Sequence, residues 1–407
     1  MGINNLGKLL NKYAENAKKD KQFRAYNGKV VAIDTFIQCY RFGISIKGSN
    51  NGLDMMTSKG KSTSHIFGIK CKVIQLLKNG ILPVFVFDKK QPEIKKRTIL
   101  ERKKIKLKAQ EKLSNEKITQ EERIKLSKKA FHITEKQIKE IKNLLYFMGI
   151  PYVEAVGEAE SQCAALNKAG KVDGVVTEDW DALLFGSNIM LRNFSNKTRV
   201  EEIKLDEVLN KLNLNHTQLI ELCIILGTDY CSGIKGINPY EAYDIFIEND
   251  CNMEKFLRDL EKRNEQENTN GIKYVIPDEF EEEYKVVNSK GNIFIYKKWE
   301  MIREYYLNAQ VGNPEKIDIK WNKPQIQKLR HFLIKKLEFD KNVIEDELNI
   351  LSYIYSKYLK SGKVYEQYYR DFKKTVNRKS NKNNLYLEEN KMEKIYEIFD
   401  KKILSFG

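Results

Sequence analysis

Three short apolar runs in this sequence each stop at an aspartate. Residues 29–33 (KVVAI) lead into Asp34, residues 82–87 (LPVFVF) into Asp88, and residues 172–177 (VDGVVT) into Asp179 and Asp181. Such short, β-branched segments read as strands buried on both faces of a parallel sheet. Parallel strands point the same way, so their C-terminal ends share one edge, the edge where open α/β sheets place their ligands. A second acidic pair, Glu158 and Glu160, opens an Ala-rich stretch at 159–169 with i, i+3, i+4 apolar spacing and a stop at Gly170. These two acids sit at a helix N-terminus, where the helix dipole favours carboxylates. A further apolar segment, 219–226, reads as a helix that delivers Asp229 in GTDYC.

Capping and turn chemistry accounts for one of these acidic pairs but not for seven acids at the ends of hydrophobic elements. Crowded carboxylates raise one another's pKa unless a cation neutralises them. An all-oxygen set without His or Cys suits Mg²⁺ or Mn²⁺ and argues against zinc. Seven carboxylates exceed the needs of one octahedral ion, so two ions about 4 Å apart, the arrangement of phosphodiester displacement, are expected. Spacing alone therefore predicts a metal-dependent nuclease.

Charge supports a polyanionic partner. The 407 residues carry a net charge of +16. Between residues 93 and 129 there are 14 Lys/Arg against 6 Asp/Glu, a local excess that is half of the whole. Apolar residues there suffice for a thin helical pair but not for a core. Directly after an active-site strand, this pair reads as a basic cap over phosphates. The six cysteines (39, 71, 163, 223, 231, 251) form no C-x-x-C pair and read as reduced core thiols. No apolar run reaches membrane-spanning length and no apolar leader opens the sequence, so no membrane association or secretion is expected. The expected place is intracellular.

The chain divides as follows. Residues 1–110 form the N-terminal part of a nuclease core, with the basic helical cap from about 93 to 130. Within it, residues 1–26 read as a polar helical opening, 43–62 as a loop, and 65–78 as an amphipathic helix in which His65 is packed or capping. Residues 130–262 form the internal part, with a helix over 134–149, a strand over 150–156, and at about 219–248 two helices joined by a Gly-rich turn, SGIKGINPYEAYDIF. Residues 263–297 read as a polar, mobile insertion. Residues 298–340 end the core, with a last packed helix at 325–337, and 341–407 form a C-terminal extension of unassigned role.

The stretches MGINNLGKLL, VVAIDTFIQCYRF, TSHIFG, LPVFVFDKKQPEIKKR, GIPYVEAVGEAESQCAALNKAGKVDGVVTEDWDALLFG, LCIILGTDYC and DIKWNKPQIQKLRHFL together resemble the flap endonucleases of the structure-specific 5′-nuclease superfamily, over about residues 1–340. The resemblance implies an α/β fold: a parallel-sheet nuclease core with a helical arch and a helix–two-turn–helix DNA-binding element, plus a helical C-terminal extension. It implies that Asp34, Asp88, Glu158 and Glu160 serve one Mg²⁺, and Glu160, Asp179, Asp181 and Asp229 the other, with Mn²⁺ as a substitute. It makes Lys95, Arg102 and Asp181 the catalytic residues, with Lys95 and Arg102 on the scissile phosphate. Gly2, Tyr40, Lys72, Gly233, Lys235 and Gly236 become DNA contacts, Tyr40 by stacking on a nucleotide. Glu178 fits the pattern as a bystander.

Departures are local. The family's turn reads Gly-Ile-Gly-Pro and holds a potassium ion; here Asn238 replaces the last Gly, and Tyr240 and Glu241 stand where basic residues are common. Lys72 stands where an Arg is usual. No Q-x-x-hydrophobic-x-x-aromatic-aromatic motif occurs in the C-terminal region, so sliding-clamp binding is not supported. The expected substrate is branched DNA with a 5′ flap, cut by a monomer in replication and repair. A 5′ exonuclease or RNA-directed nuclease of the same fold shares the metal site. A non-catalytic DNA-binding scaffold does not account for seven retained acids facing phosphates.

Overall fold

A computed structural model describes residues 3, 5–49, 53–89, 92–114, 118–195, 199–266, 273–287 and 293–356. Its strands, among these residues, are β1 (Lys18–Lys21), β2 (Val30–Asp34), β3 (Leu82–Phe87), β4 (Tyr152–Glu154), β5 (Gly174–Val176), β6 (Ile189–Arg192), β7 (Val200–Lys204), β8 (Glu283–Val287) and β9 (Ile293–Lys297). Seven of them form one sheet in the order β1-β7-β6-β5-β2-β3-β4, and β8 and β9 form a separate hairpin. The five strands from β6 to β4 run parallel, while β7 and β1 add an antiparallel edge.

Side-chain alternation explains why β2 and β3 are continuously apolar. Val31, Ile33, Phe85 and Phe87 pack on one face against the helices Ser64–Lys78 and Glu135–Met148. Ala32, Val84 and Val86 meet Ala159, Cys163 and Leu166 of the helix Ala159–Lys168 on the other. Two covered faces leave no polar side to the strand. Register then levels the strand ends: Asp34 pairs with Val86, and Ile33 with Val176.

Several expectations shift. The strands anticipated at 150–156 and 172–177 are shorter, Tyr152–Glu154 and Gly174–Val176. The polar opening holds the helix Leu6–Tyr13 and also β1. The loop anticipated from residue 43 begins later, because one helix spans Thr35–Ser49. Gly43 is no breaker there; the Phe131 ring lies 2.1 Å from where its Cβ would stand, so the glycine admits a close ring contact. The segment 263–297 is not a free polar insertion: Tyr274 and Phe280 are buried in the core. The helix over 325–337 is Ile326–Arg330, continued by a π-helical stretch His331–Lys336. It is not the last packed helix, because Lys341–Ile354 buries Ile344, Leu348, Leu351 and Ile354. The basic segment forms two helices, Lys96–Leu113 and Gln120–Ala130. All six cysteines are free, five of them buried. Among the described residues, no helix is long and apolar enough to cross a membrane.

Candidate metal centre

The strand ends deliver the first carboxylates. Asp34 closes β2 and accepts the Ile37 N–H at 3.1 Å. Asp88, one residue past β3, accepts the Ala159 N–H at the start of the facing helix, which is where the helix dipole is most positive. Glu158 stands at the N-cap position of that helix without a side-chain cap bond, and Glu160 lies in its first turn. Burial, then the neighbouring Asp88, pushes the Asp34 carboxyl up to about 7. Burial also pushes Asp88 up, to about 6, with Glu158 adding to the effect. Glu160 is raised well above the carboxylate range by its enclosure and by Asp34 and Asp88.

The second set follows β5. The Asp179 N–H donates to Thr177 Oγ1 at 3.1 Å, and the Asp181 N–H to Asp179 Oδ1 at 3.2 Å, so this loop is pinned by its own polar atoms. Asp229 comes from the loop after the helix His216–Leu226. Asp179, Asp181 and Asp229 bring one oxygen each to within 4.8 Å of one another, all three buried. Asp181 is 3% exposed, and its Oδ1 has no hydrogen-bond partner among the described residues.

Two cations reach in from the base of the arch. Lys95 Nζ lies 2.6 Å from Glu158 Oε1 and 3.2 Å from Asp229 Oδ2. Burial opposes its charge, but Glu158, Glu160 and Asp229 outweigh that and hold the amine firmly protonated. Arg102 Nη2 lies 2.7 Å from Asp229 Oδ1, and the Thr98 hydroxyl donates to the Asp229 carbonyl at 2.5 Å. Burial raises the Asp229 carboxyl, yet Lys95 and Arg102 bring it below its ordinary value. The seven sequence-predicted acids and both predicted cations are thus placed at one edge of the sheet.

Other predicted residues lie elsewhere. Tyr40 packs edge-on against Phe131, centroids 5.4 Å apart, at the foot of the second arch helix. Lys72 is buried and donates to the Phe194 carbonyl, so its expected DNA contact has no exposed ammonium to make it. Gly2 lies outside the described residues. Gly233 and Gly236 take φ of +70° and +84° in the turn before the helix Pro239–Glu248. A Cβ on Gly236 would stand 1.8 Å from the Lys273 carbonyl oxygen. Lys235 is exposed and its backbone pairs with Val275 in both directions. Asn238 caps the second helix through the Tyr240 and Glu241 amides. Glu241 accepts from Lys273 at 2.9 Å and from the Tyr274 hydroxyl at 2.5 Å. Glu178 is held by Arg41 at 2.7 Å and the Asn193 N–H at 3.0 Å. His65 Nε2 donates to Glu140 at 2.9 Å and stands apart from the seven candidate ligands, as a packed histidine.

Sequence reasoning missed two phenols. Tyr230 and Tyr305 both donate to Glu158 Oε2, at 2.5 and 2.7 Å. Tyr230 directly follows Asp229, a positional signal; Tyr305 lies 147 residues from its partner and carries none.

Two family models match: the XPG N-terminal domain over residues 1–109 and the XPG I-region over residues 149–229. Flap endonuclease 1 of Nematostella vectensis is 36% identical over 358 residues, covering 86% of this chain and 87% of the relative. The human enzyme of that name is 32% identical with the same coverage. The chain belongs to the flap endonuclease family. Flap endonuclease 1 of Plasmodium falciparum is 36% identical across 97% of this chain, which spans 58% of that relative's length. Among solved structures, the flap endonuclease-1 from Methanococcus jannaschii is 28% identical, with TM-score 0.61 over 83% of this chain and 96% of its own. The catalytic core of Rad2 in complex with DNA substrate is 26% identical, with TM-score 0.62 over 86% of this chain and 100% of its own. In this chain the seven acids, Lys95 and Arg102 all fall inside the two matched XPG blocks, whereas Tyr305 falls outside both.

Proposed function

We propose that this member of the flap endonuclease family hydrolyses phosphodiesters at the base of 5′ flaps, and 5′ ends at nicks or gaps, in DNA replication and repair. The observation that carries the reading is the convergence of Lys95 and Arg102 on Asp229, one cation to each carboxylate oxygen, at the rim of a seven-carboxylate cluster. Two cations against seven acids leave a deep negative excess that suits divalent ions. The residues fit such ions: the donors are all oxygen, Asp181 Oδ1 is buried without a partner, and the acids nearest β2 are pushed toward protonation. Asp34, Asp88, Glu158 and Glu160 would hold one Mg²⁺, and Glu160, Asp179, Asp181 and Asp229 the other. Bound there, the ions supply an activated water and neutralise charge on the phosphate. The chain's own part is to orient the phosphate and stabilise its developing charge through Lys95 and Arg102.

The turn at Gly233–Gly236 would follow the duplex backbone without reading sequence. The partner is branched DNA, the working form a monomer, and the setting a DNA-replication compartment such as the nucleus. The test is cleavage of end-labelled flap, gap, nick and RNA–DNA substrates in Mg²⁺. A main product released at the flap junction supports the reading. Equal cutting of all substrates from the 5′ end replaces it with a 5′ exonuclease, and preference for the RNA strand with an RNA-directed nuclease.

A further inference from the structure

The arch helix Lys96–Leu113 has one buried residue, Ala109, in eighteen. Apolar packing therefore does little to fix where its first turns stand, and those turns carry the cations of the site. What holds the foot is polar. Thr98 and Arg102 are tied to Asp229 itself, so they follow that loop wherever it goes. Lys95 reaches the helix Ala159–Lys168 through Glu158, itself one of the cluster, and one further contact reaches the core away from the carboxylates.

Glu279, in the 3₁₀ turn Asp278–Phe280, is 6% exposed and flanked by the wholly buried Phe280. Its Oε2 accepts the Ser232 N–H at 2.9 Å and the Ser232 hydroxyl at 2.8 Å. Its Oε1 accepts Arg97 Nη1 at 2.9 Å and Lys298 Nζ at 2.9 Å. Ser232 lies three residues beyond Asp229, and Arg97 two beyond Lys95. Lys298 begins the helix Lys298–Leu307, which also carries Tyr305. One carboxylate therefore joins the arch foot, the Asp229 loop and a core helix by four hydrogen bonds, two of them to cations, the stronger kind. Burial works against its charge, but Lys298 and then Ser232 outweigh that and hold its carboxyl down to about 2, so it stays charged throughout the working range. Nothing in the two matched family blocks contains it.

We propose that Glu279 is a positioning residue: a latch that sets Lys95 and Arg102 in register with the carboxylate cluster through Arg97. It touches neither a candidate metal ligand nor the place of the phosphate, and it acts through the arch. The inference rests on the reading of the site as a two-metal flap nuclease. A cation displaced by an ångström at a preorganised site loses much of its effect on rate.

The test uses the full chain with Glu279→Gln, which keeps the shape and removes the charge, and Arg97→Ala, whose exposed side chain makes misfolding no concern. The expected result is a fall of about tenfold in single-turnover flap cleavage at saturating enzyme for each variant, with substrate Kd within about twofold. The double variant should be no slower than the slower single one, because both changes open the same latch. In the free protein, amides 97–103 should exchange faster in Glu279→Gln while those of 159–168 stay protected, a readout that needs no catalysis. Wild-type rates in both variants, additive losses in the double, or unchanged exchange at 97–103 would overturn the latch. A wild-type protein that leaves flaps uncut would instead overturn the nuclease reading, and the exchange measurement would still decide the latch.

Discussion

Lys95 Nζ lies 2.6 Å from Glu158 Oε1, and the lysine is 8% exposed. A buried ammonium among carboxylates is a fixed counter-charge, available to a phosphate without reorganisation. Arg102 differs in place but not in target: its side chain is half exposed and meets the same Asp229.

Lys95→Ala and Arg102→Ala should each lower the single-turnover rate by a factor on the order of 10² or more, as for other preorganised charge donors. Flap binding should weaken only modestly, since many arch lysines share the phosphate contacts. Rapid-quench rates at saturating enzyme, with Kd measured in Ca²⁺, separate the two. Raised Kd with a near-normal saturated rate, recovered at low salt, would leave the arch as an electrostatic collector only.

Asp179→Ala and Asp181→Ala should abolish cleavage and retain junction binding. These carboxylates converge with Asp229 and leave an oxygen unpartnered, while affinity comes from basic and backbone groups. A variant cutting near the wild-type rate would remove that acid from the metal set.

The raised carboxyls make stability depend on pH with a definite sign. Asp34 and Asp88 move from an ordinary 3.8 to about 7 and about 6. The unfolded chain releases these protons near pH 4, the folded chain only near 6 to 7. Between those values the folded state binds more protons, so metal-free stability is greatest at the acid end and falls as pH rises. Melting temperature without divalent ions should therefore drop from about pH 5 to about pH 7.5, and Mg²⁺ should reverse the slope. Asp34→Asn with Asp88→Asn should flatten it; a slope unchanged in that double variant would assign the effect to other groups.

The metal centre was readable because each acid ends an element whose hydrophobicity is itself a signal. Asp34 and Asp88 are marked by KVVAI and LPVFVF, and parallel pairing alone brings them to one edge. The antiparallel edge was not readable. β1 is Lys-Lys-Asp-Lys and β7 is Val-Glu-Glu-Ile-Lys, so neither has the apolar run that marks a buried strand. Gly43 and its neighbours look like a loop until Phe131 is placed against them. Tyr305 and Glu279 reach the site through contacts 147 and 182 residues away in the chain, a separation at which no local pattern exists.

Glu347→Ala should destabilise the fold by about 3–5 kcal/mol, the cost of leaving one member of a buried pair without its partner. Glu347 meets Lys70 of the helix Ser64–Lys78, with side-chain exposures of 10% and 3%. Urea unfolding followed by circular dichroism measures it. A loss below about 1 kcal/mol would mean the pair behaves as a surface contact.

The helix Lys341–Ile354 also bears on where this protein can be cut. The stretches that carry the family resemblance in the sequence end at residue 333, which invites a truncated form ending near 340. Such a form would uncover the seat of Ile344, Leu348, Leu351 and Ile354, side chains each at most 4% exposed, on the flank of a helix that backs β2 and β3. The greasy strip left behind, several residues long and facing water, is the kind of surface on which copies stick to one another. A shortened enzyme that clumps at high concentration would owe it to this missing cover, and a boundary beyond residue 356 would keep it.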